Sequence, residues 1–217
     1  MTSEPTWVVD PIDGTTNFVH SLPFVAISIG FINDKVPKFG LIFNPFLNHL
    51  YSAFKDHGAY LTINDSNKLK LPLKPSSKLS LSNSLLAIEW GADRSDRTMP
   101  NKLKTFNTLL HEKQILAHGL RSFGACTINC MEVAKGSIDI YFEIGCWAWD
   151  VTAAYVILSE SGCSIFGKKQ SVNDDDTPID DILFGRKFLF IRNNEGGHQH
   201  SKAIANEFYN SIDEWDP

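Results

Sequence analysis

The chain has 217 residues, 43% of them hydrophobic and 21% charged. That is ordinary globular composition, enough for one large domain or two small ones, and it argues against a disordered chain. A net charge of −5 gives no electrostatic basis for binding nucleic acid or an anionic membrane, so neither is expected as a partner.

The first predicted element is a short strand at Trp7–Val9. Strands follow at Phe24–Ile32, Lys38–Phe43 and Leu50–Phe54, and Gly58–Leu61 continues the pattern. Short β-rich runs broken by Asn, Asp, Gly and Pro read as an antiparallel meander. Leu69–Ser84 alternates Lys, Leu, Ser and Pro without a helical period. It reads as an extended edge segment and linker, which divides the chain into units 1–83 and 84–217.

The second half alternates helix and strand. Leu85–Glu89 is a predicted strand. Pro100–Leu110 places Leu103, Phe106, Leu109 and Leu110 on one helix face. Gln114–Ala117 reads as a short strand, and Ala125–Lys135 as a helix stopped by Gly136. Strand Ile138–Phe142, helix Val151–Ser161, strands Cys163–Phe166 and Phe188–Ile191 and helix Ser201–Tyr209 complete the pattern. No segment reads as a signal peptide or approaches the roughly 18 apolar residues of a membrane span, so a cytoplasmic protein is expected. Cys126, Cys130, Cys146 and Cys163 show no metal-ligand spacing and read as small buried hydrophobes in a reducing compartment.

The chemistry-bearing stretch is Asp10-Pro11-Ile12-Asp13-Gly14-Thr15-Thr16-Asn17-Phe18, directly after an apolar run. Pro11 holds Asp10 out of the α region, and Asp13 follows after a turn, so two carboxylates can converge. Hard oxygen donors suit Mg²⁺, and the Ile12 carbonyl can add another. Gly14 allows close backbone approach, and Gly14 and Thr15 offer N–H groups where a helix begins, which suits phosphate. Taken singly, Asp-Pro and Asp-Gly are common turn dipeptides. A second stretch, Glu143 to Asp150, ends on an aspartate just before a predicted helix. Asp150 reads as an N-cap or as a third metal carboxylate. Asp174–Asp176 reads as a solvated acidic loop.

Together these residues resemble the inositol monophosphatase family. DPIDGTTNF at Asp10–Phe18 is similar to its first signature, and WDVTAAYVILSESG at Trp149–Gly162 to its second. HGLRSFGACTIN at His118–Asn129 resembles the segment on the alcohol side of its substrate. The resemblance implies a mixed α/β and α+β fold, a layered α-β-α-β-α sandwich of the sugar-phosphatase type. It implies hydrolysis of inositol monophosphate to myo-inositol and phosphate with two or more Mg²⁺ ions, lithium sensitivity and a homodimer. Asp10 would bridge two ions, Asp13 and Asp150 would complete one site, and the Ile12 carbonyl and Thr15 would serve the other. Asp10, Asp13 and Thr15 are thereby the implied catalytic residues. Gly14 and Thr15 would hold the phosphate. Gly124, Ala125, Cys126 and Glu143 would face the inositol hydroxyls, and Asp150 would also touch substrate. Arg121 is expected as a cation that holds the three acids together when no metal is bound.

The family also carries a Gly-Glu-Glu motif and a further aspartate upstream of the Asp-Pro signature, whereas only MTSEPT precedes Trp7 here. The expectation is therefore a sandwich without the N-terminal helices of its first layer, weak Mg²⁺ binding and slow turnover. Two alternatives stand beside it. One is another phosphatase of the superfamily, acting on a bisphosphate nucleotide, a sugar bisphosphate or histidinol phosphate. The other is a catalytically inactive subunit or fragment.

Overall fold

The computed structural model describes residues 1–66 and 68–217. The first half is the expected meander. β1 (Thr6–Asp13), β2 (Ala26–Asn33), β3 (Val36–Asn44), β4 (His49–Phe54), β5 (Ala59–Ile63) and β6 (Leu69–Lys70) form one antiparallel sheet in chain order. The β2–β3 turn shows how local chemistry sets register. Asn33 pairs with Val36, and Asp34 and Lys35 between them both have positive φ, as a two-residue hairpin turn requires.

The second sheet contains β7 (Leu85–Ile88), β8 (Gly119–Arg121), β9 (Ile140–Ile144), β10 (Ser164–Phe166) and β11 (Lys187–Ile191), ordered β10-β11-β9-β7-β8. β7 runs parallel to β8 and β9, and the remaining pairs are antiparallel. The helices are α1 (Thr15–Val19), α2 (Met99–Leu110), α3 (Cys126–Lys135), α4 (Ala148–Glu160), α5 (Ile179–Phe184) and α6 (Gly197–Ser211).

Helices α3 and α4 lie between the sheets. Ala26, Ile42 and Tyr51 of the first sheet share one core with Ile128, Val133, Ala153 and Ile157 of these helices and with Phe188 and Phe190 of the second sheet. Covered on both sides, α4 buries nearly every residue from Asp150 to Leu158, as an enclosed helix must. The far face of the second sheet packs Leu86, Ile88, Phe142 and Leu189 against Leu109 of α2 and Ile204, Phe208 and Tyr209 of α6. The described residues thus form four successive layers of the expected sandwich, sheet, helices, sheet, helices.

One close approach fixes α4. Gly30 pairs with Gly40 across β2 and β3. A Cβ on Gly30 would lie 2.6 Å from the Thr152 methyl, and one on Gly40 would lie 2.2 Å from the Ala153 carbonyl oxygen. Only glycine lets the helix backbone lie on the sheet here.

Several sequence expectations need correction. Gln114–Ala117 is a turn, and the strand begins later, at Gly119. In α2, Lys102, Thr105 and Leu109 are the buried residues, while Leu103 and Leu110 are exposed. The Lys102 stem fills space under the helix, and its ammonium group reaches the carbonyls of Trp90 and Asp93. Helix α4 starts at Ala148, three residues before the expected Val151, which changes the role of Asp150.

Candidate active site

The Asp-Pro sequence shapes the end of β1. Asp10 lies opposite Ser28 and Asp13 opposite Ala26, with a register irregularity between them. Pro11 has no N–H to give to a ladder, so the bulge falls where the strand can bear it. The Ile12 N–H turns back and donates to Asp10 Oδ1 at 3.0 Å. Two carboxylates on one strand are thereby brought to one side.

Asp13 is received by α3. That helix has Ala125 at its N-cap and no capping side chain of its own. Asp13 supplies the missing acceptor from a distant part of the chain. Its Oδ2 accepts the Thr127 N–H at 2.7 Å and the Thr127 hydroxyl at 2.5 Å.

Asp150 comes from α4. It is not the N-cap but the third helical residue, and its Oδ2 accepts the N–H of the N-cap Trp147 at 2.7 Å. This is the returning half of a capping box. The preceding Trp149 carbonyl accepts the Ser28 hydroxyl at 3.3 Å, and Ser28 pairs with Asp10. The glycine contact that seats α4 on the sheet therefore also brings Asp150 to Asp10.

The three aspartates offer ligand oxygens all within 4.8 Å of one another. Each has one oxygen fixed by a backbone N–H, and its other oxygen remains for a cation. Burial pushes Asp13 up to about 7, with neighbouring Cys126 and Asp10 adding to the effect. Burial likewise pushes Asp150 up to about 8, with neighbouring Cys126 and Asp13 adding to the effect. Carboxylates this close cannot all ionise alone, so either protons or a cation must occupy the cluster. The donor set is all oxygen, with no imidazole or thiol, and it fits a hard divalent ion such as Mg²⁺.

The Gly14 turn and the loop entering α3 meet beside this cluster. Gly14 has φ +84°, and a Cβ there would lie 2.8 Å from the Phe24 carbonyl oxygen and 3.0 Å from the Ala125 Cβ. Asn17 ties the two loops, donating through Nδ2 to the Phe24 carbonyl at 2.8 Å and the Phe123 carbonyl at 2.6 Å. Gly124 is exposed at the α3 entrance, with Ala125 and Cys126 buried behind it. Glu143 on β9 is buried and accepts the Tyr141 hydroxyl at 2.7 Å, and burial holds its carboxyl well above the usual range. Thr15 and Ile12 are exposed at the rim. Trp147 and Trp149 stack at 5.2 Å outside it, with the Arg186 guanidinium 3.8 Å over the Trp147 ring.

Arg121 does not join the acids. It sits exposed on the edge strand β8 and donates to the Leu120 carbonyl at 2.8 Å, and among the described residues it makes no ion pair. Conversely, sequence reasoning missed Thr127, Asn17 and Glu89. Glu89 accepts the Gly124 N–H at 2.9 Å and Asn129 Nδ2 at 2.7 Å, and so clasps the loop entering α3. Asn17 stood inside the quoted signature, but nothing in spacing alone marks Thr127 or Glu89.

Two layered sheets with an acidic cluster at the junction of β1, α3 and α4 define a fold shared with solved phosphatase structures. The sequence matches the model of the inositol monophosphatase family over residues 1–207, and the chain belongs to that family. It is 43% identical over 170 residues to "Inositol monophosphatase 2" of Saccharomyces cerevisiae, a match covering 77% of this chain and 56% of that protein. The inositol monophosphatase structure from Anabaena (Nostoc) sp. PCC 7120 superposes with a TM-score of 0.74 at 30% identity, covering 96% of this chain and 73% of that one. The structure titled "Inositol monophosphate bound SaIMPase-II" superposes with a TM-score of 0.71 at 27% identity, covering 96% and 70%. The chain spans little more than half the length of the yeast relative.

Proposed function

We propose that the chain carries the metal- and phosphate-binding machinery of a Mg²⁺-dependent phosphatase that converts inositol monophosphate to myo-inositol and phosphate. The carrying observation is the convergence of Asp10, Asp13 and Asp150 from β1 and α4, beside the Gly14 turn. Membership of the family and a solved neighbour titled as inositol monophosphate bound support the substrate class.

Asp10, Asp13 and Asp150 would hold the divalent ions, with the Ile12 carbonyl and Thr15 hydroxyl as further oxygen donors. When bound, such ions acidify a water and neutralise charge on the phosphate and the departing alkoxide. The chain's own residues prepare that site. Thr127, Trp147 and the Ile12 N–H each fix one carboxylate oxygen, so the ligand oxygens are oriented in advance. Burial raises the proton affinity of Asp13 and Asp150, so a cation competes there with protons. Gly14 and Thr15 would present N–H groups to the phosphate. Gly124, Ala125 and Cys126 would line the alcohol side, where Glu143 and Asp150 would order the ring hydroxyls.

The same reading takes 1–83 and 84–217 as two units with the chemistry at their junction, and a homodimer as the assembly. All four cysteines are free, which supports a reducing, cytoplasmic setting. No helix among the described residues is long and apolar enough to cross a membrane.

The test is phosphate release from inositol 1-phosphate with Mg²⁺, set against an adenosine bisphosphate. Release from the inositol ester that stops on chelation and in Asp150→Asn is expected. Preference for the nucleotide, or release indifferent to chelator, would refute the reading.

A further inference from the structure

We propose that Cys126 and Cys146 form a reversible disulfide when the protein meets a hydroperoxide, and that this cross-link loosens the carboxylate site. The two Sγ atoms lie 3.5 Å apart, although the residues are on different elements. Cys126 opens α3, and Cys146 sits in the turn between β9 and α4. A disulfide bond is about 2.05 Å long, so the sulfurs need approach by only roughly 1.5 Å.

Exposure sets the order of events. Cys146 is half-buried, whereas Cys126 is 7% exposed. With hydrogen peroxide as the oxidant, the Cys146 sulfur attacks one peroxide oxygen, the O–O bond breaks, and a sulfenic acid and one water result. The Cys126 sulfur then attacks the sulfenyl sulfur, the S–O bond breaks and a second water leaves. Both thiol protons end in the waters, the two sulfurs are oxidised and the peroxide is reduced. Cys130 lies one turn further along α3 and also faces Cys126, but it is fully buried and reached last.

The consequence follows from the neighbours in sequence. Cys126 directly precedes Thr127, which fixes Asp13, and Cys146 directly precedes Trp147, which fixes Asp150. Drawing the sulfurs together therefore moves the supports of two of the three carboxylates at once. This second half of the proposal rests on the cation site described above, whereas the cross-link itself does not.

The test treats the metal-free chain with hydrogen peroxide, quenches it and maps peptides without reduction. A Cys126–Cys146 cross-link that dithiothreitol reverses is expected, lost in Cys146→Ser and kept in Cys130→Ser. Oxidation to sulfinic acid without a cross-link, or a Cys126–Cys130 bond, would overturn the proposal. Titration with Mn²⁺ then compares reduced and cross-linked chain. Affinity is expected to fall about tenfold and return on reduction, as when partners of metal ligands are disturbed. Equal affinity in the two states would overturn the coupling. A reduced chain that binds no Mn²⁺ would refute the cation-site reading and the coupling together, and the peptide map would still decide the cross-link.

Discussion

The two faces of the first sheet are both apolar and are built differently. The inner face presents Ala26, Ser28, Gly30 and Gly40, all buried against α4. The outer face presents Trp7, Val9, Phe31 and Phe39, with Trp7 62% exposed and its ring 4.7 Å from that of Phe31. Small residues mark where a backbone must come close, and large ones where side chains meet each other. The inner face is also where the site is made, because the contact that admits α4 delivers Asp150 to Asp10. Strand hydrophobicity alone does not separate these faces, since FVAISIGFI is apolar at nearly every position.

The contrast can be broken most severely at Gly40. In Gly40→Val the new side chain meets the Ala153 carbonyl, and α4 must lift from the sheet. A loss of about 3 kcal/mol or more is expected, read from the midpoint of denaturant unfolding. Unchanged stability would mean that the close approach does not constrain the helix.

Thr127→Val acts more locally. It removes the hydroxyl that Asp13 accepts and keeps the backbone bond. Mn²⁺ affinity should fall about tenfold, since the ligand loses part of its orientation. Titration calorimetry at one pH checks this.

Next in size is a pH effect confined to the inner side. Asp13 and Asp150 have folded values near 7 and 8, above the ordinary 3.8. The folded chain therefore binds more protons than the unfolded chain above about pH 4. That contribution to stability is whole below pH 4 and is lost as pH rises through 7 and 8. The melting temperature of metal-free chain in chelator should decline from pH 5 to pH 9. Mg²⁺ should restore it most at the alkaline end, and a flat profile in both conditions would count against the shifted carboxyls.

The smallest effect belongs to the outer face. Trp7→Thr removes an exposed ring and its two aromatic contacts, with Phe31 and Phe39, so stability should change by about 1 kcal/mol or less. A change as large as that of Gly40→Val would mean the two faces contribute alike.

Much of this was legible in residue order. The meander followed from turn residues, and the helices α3 and α4 from apolar runs closed by Gly136 and Gly162. The Asp-Pro-Ile-Asp-Gly string marked two of the acids, and the resemblance chose the metal role over the cap for Asp150. What stayed hidden was set by distant contacts. Thr127 caps nothing in its own helix and becomes a site residue only because β1 ends beside it. Cys146 lies 20 residues from Cys126, so nothing in the spacing of the cysteines joins the two. Arg121 was placed near the acids by charge, but an edge strand left it in solvent. The α2 face failed because Lys102 carries a long apolar stem under a polar head.

The central claim is that Asp10, Asp13 and Asp150 form one cation site. The most direct measurement is Mn²⁺ binding by electron paramagnetic resonance at pH 8, for the chain and for Asp10→Asn, Asp13→Asn and Asp150→Asn. The account expects binding in the parent chain and its loss in each single variant. Retained binding in any one of the three would show that the residue is not a ligand and that the cluster is not one site.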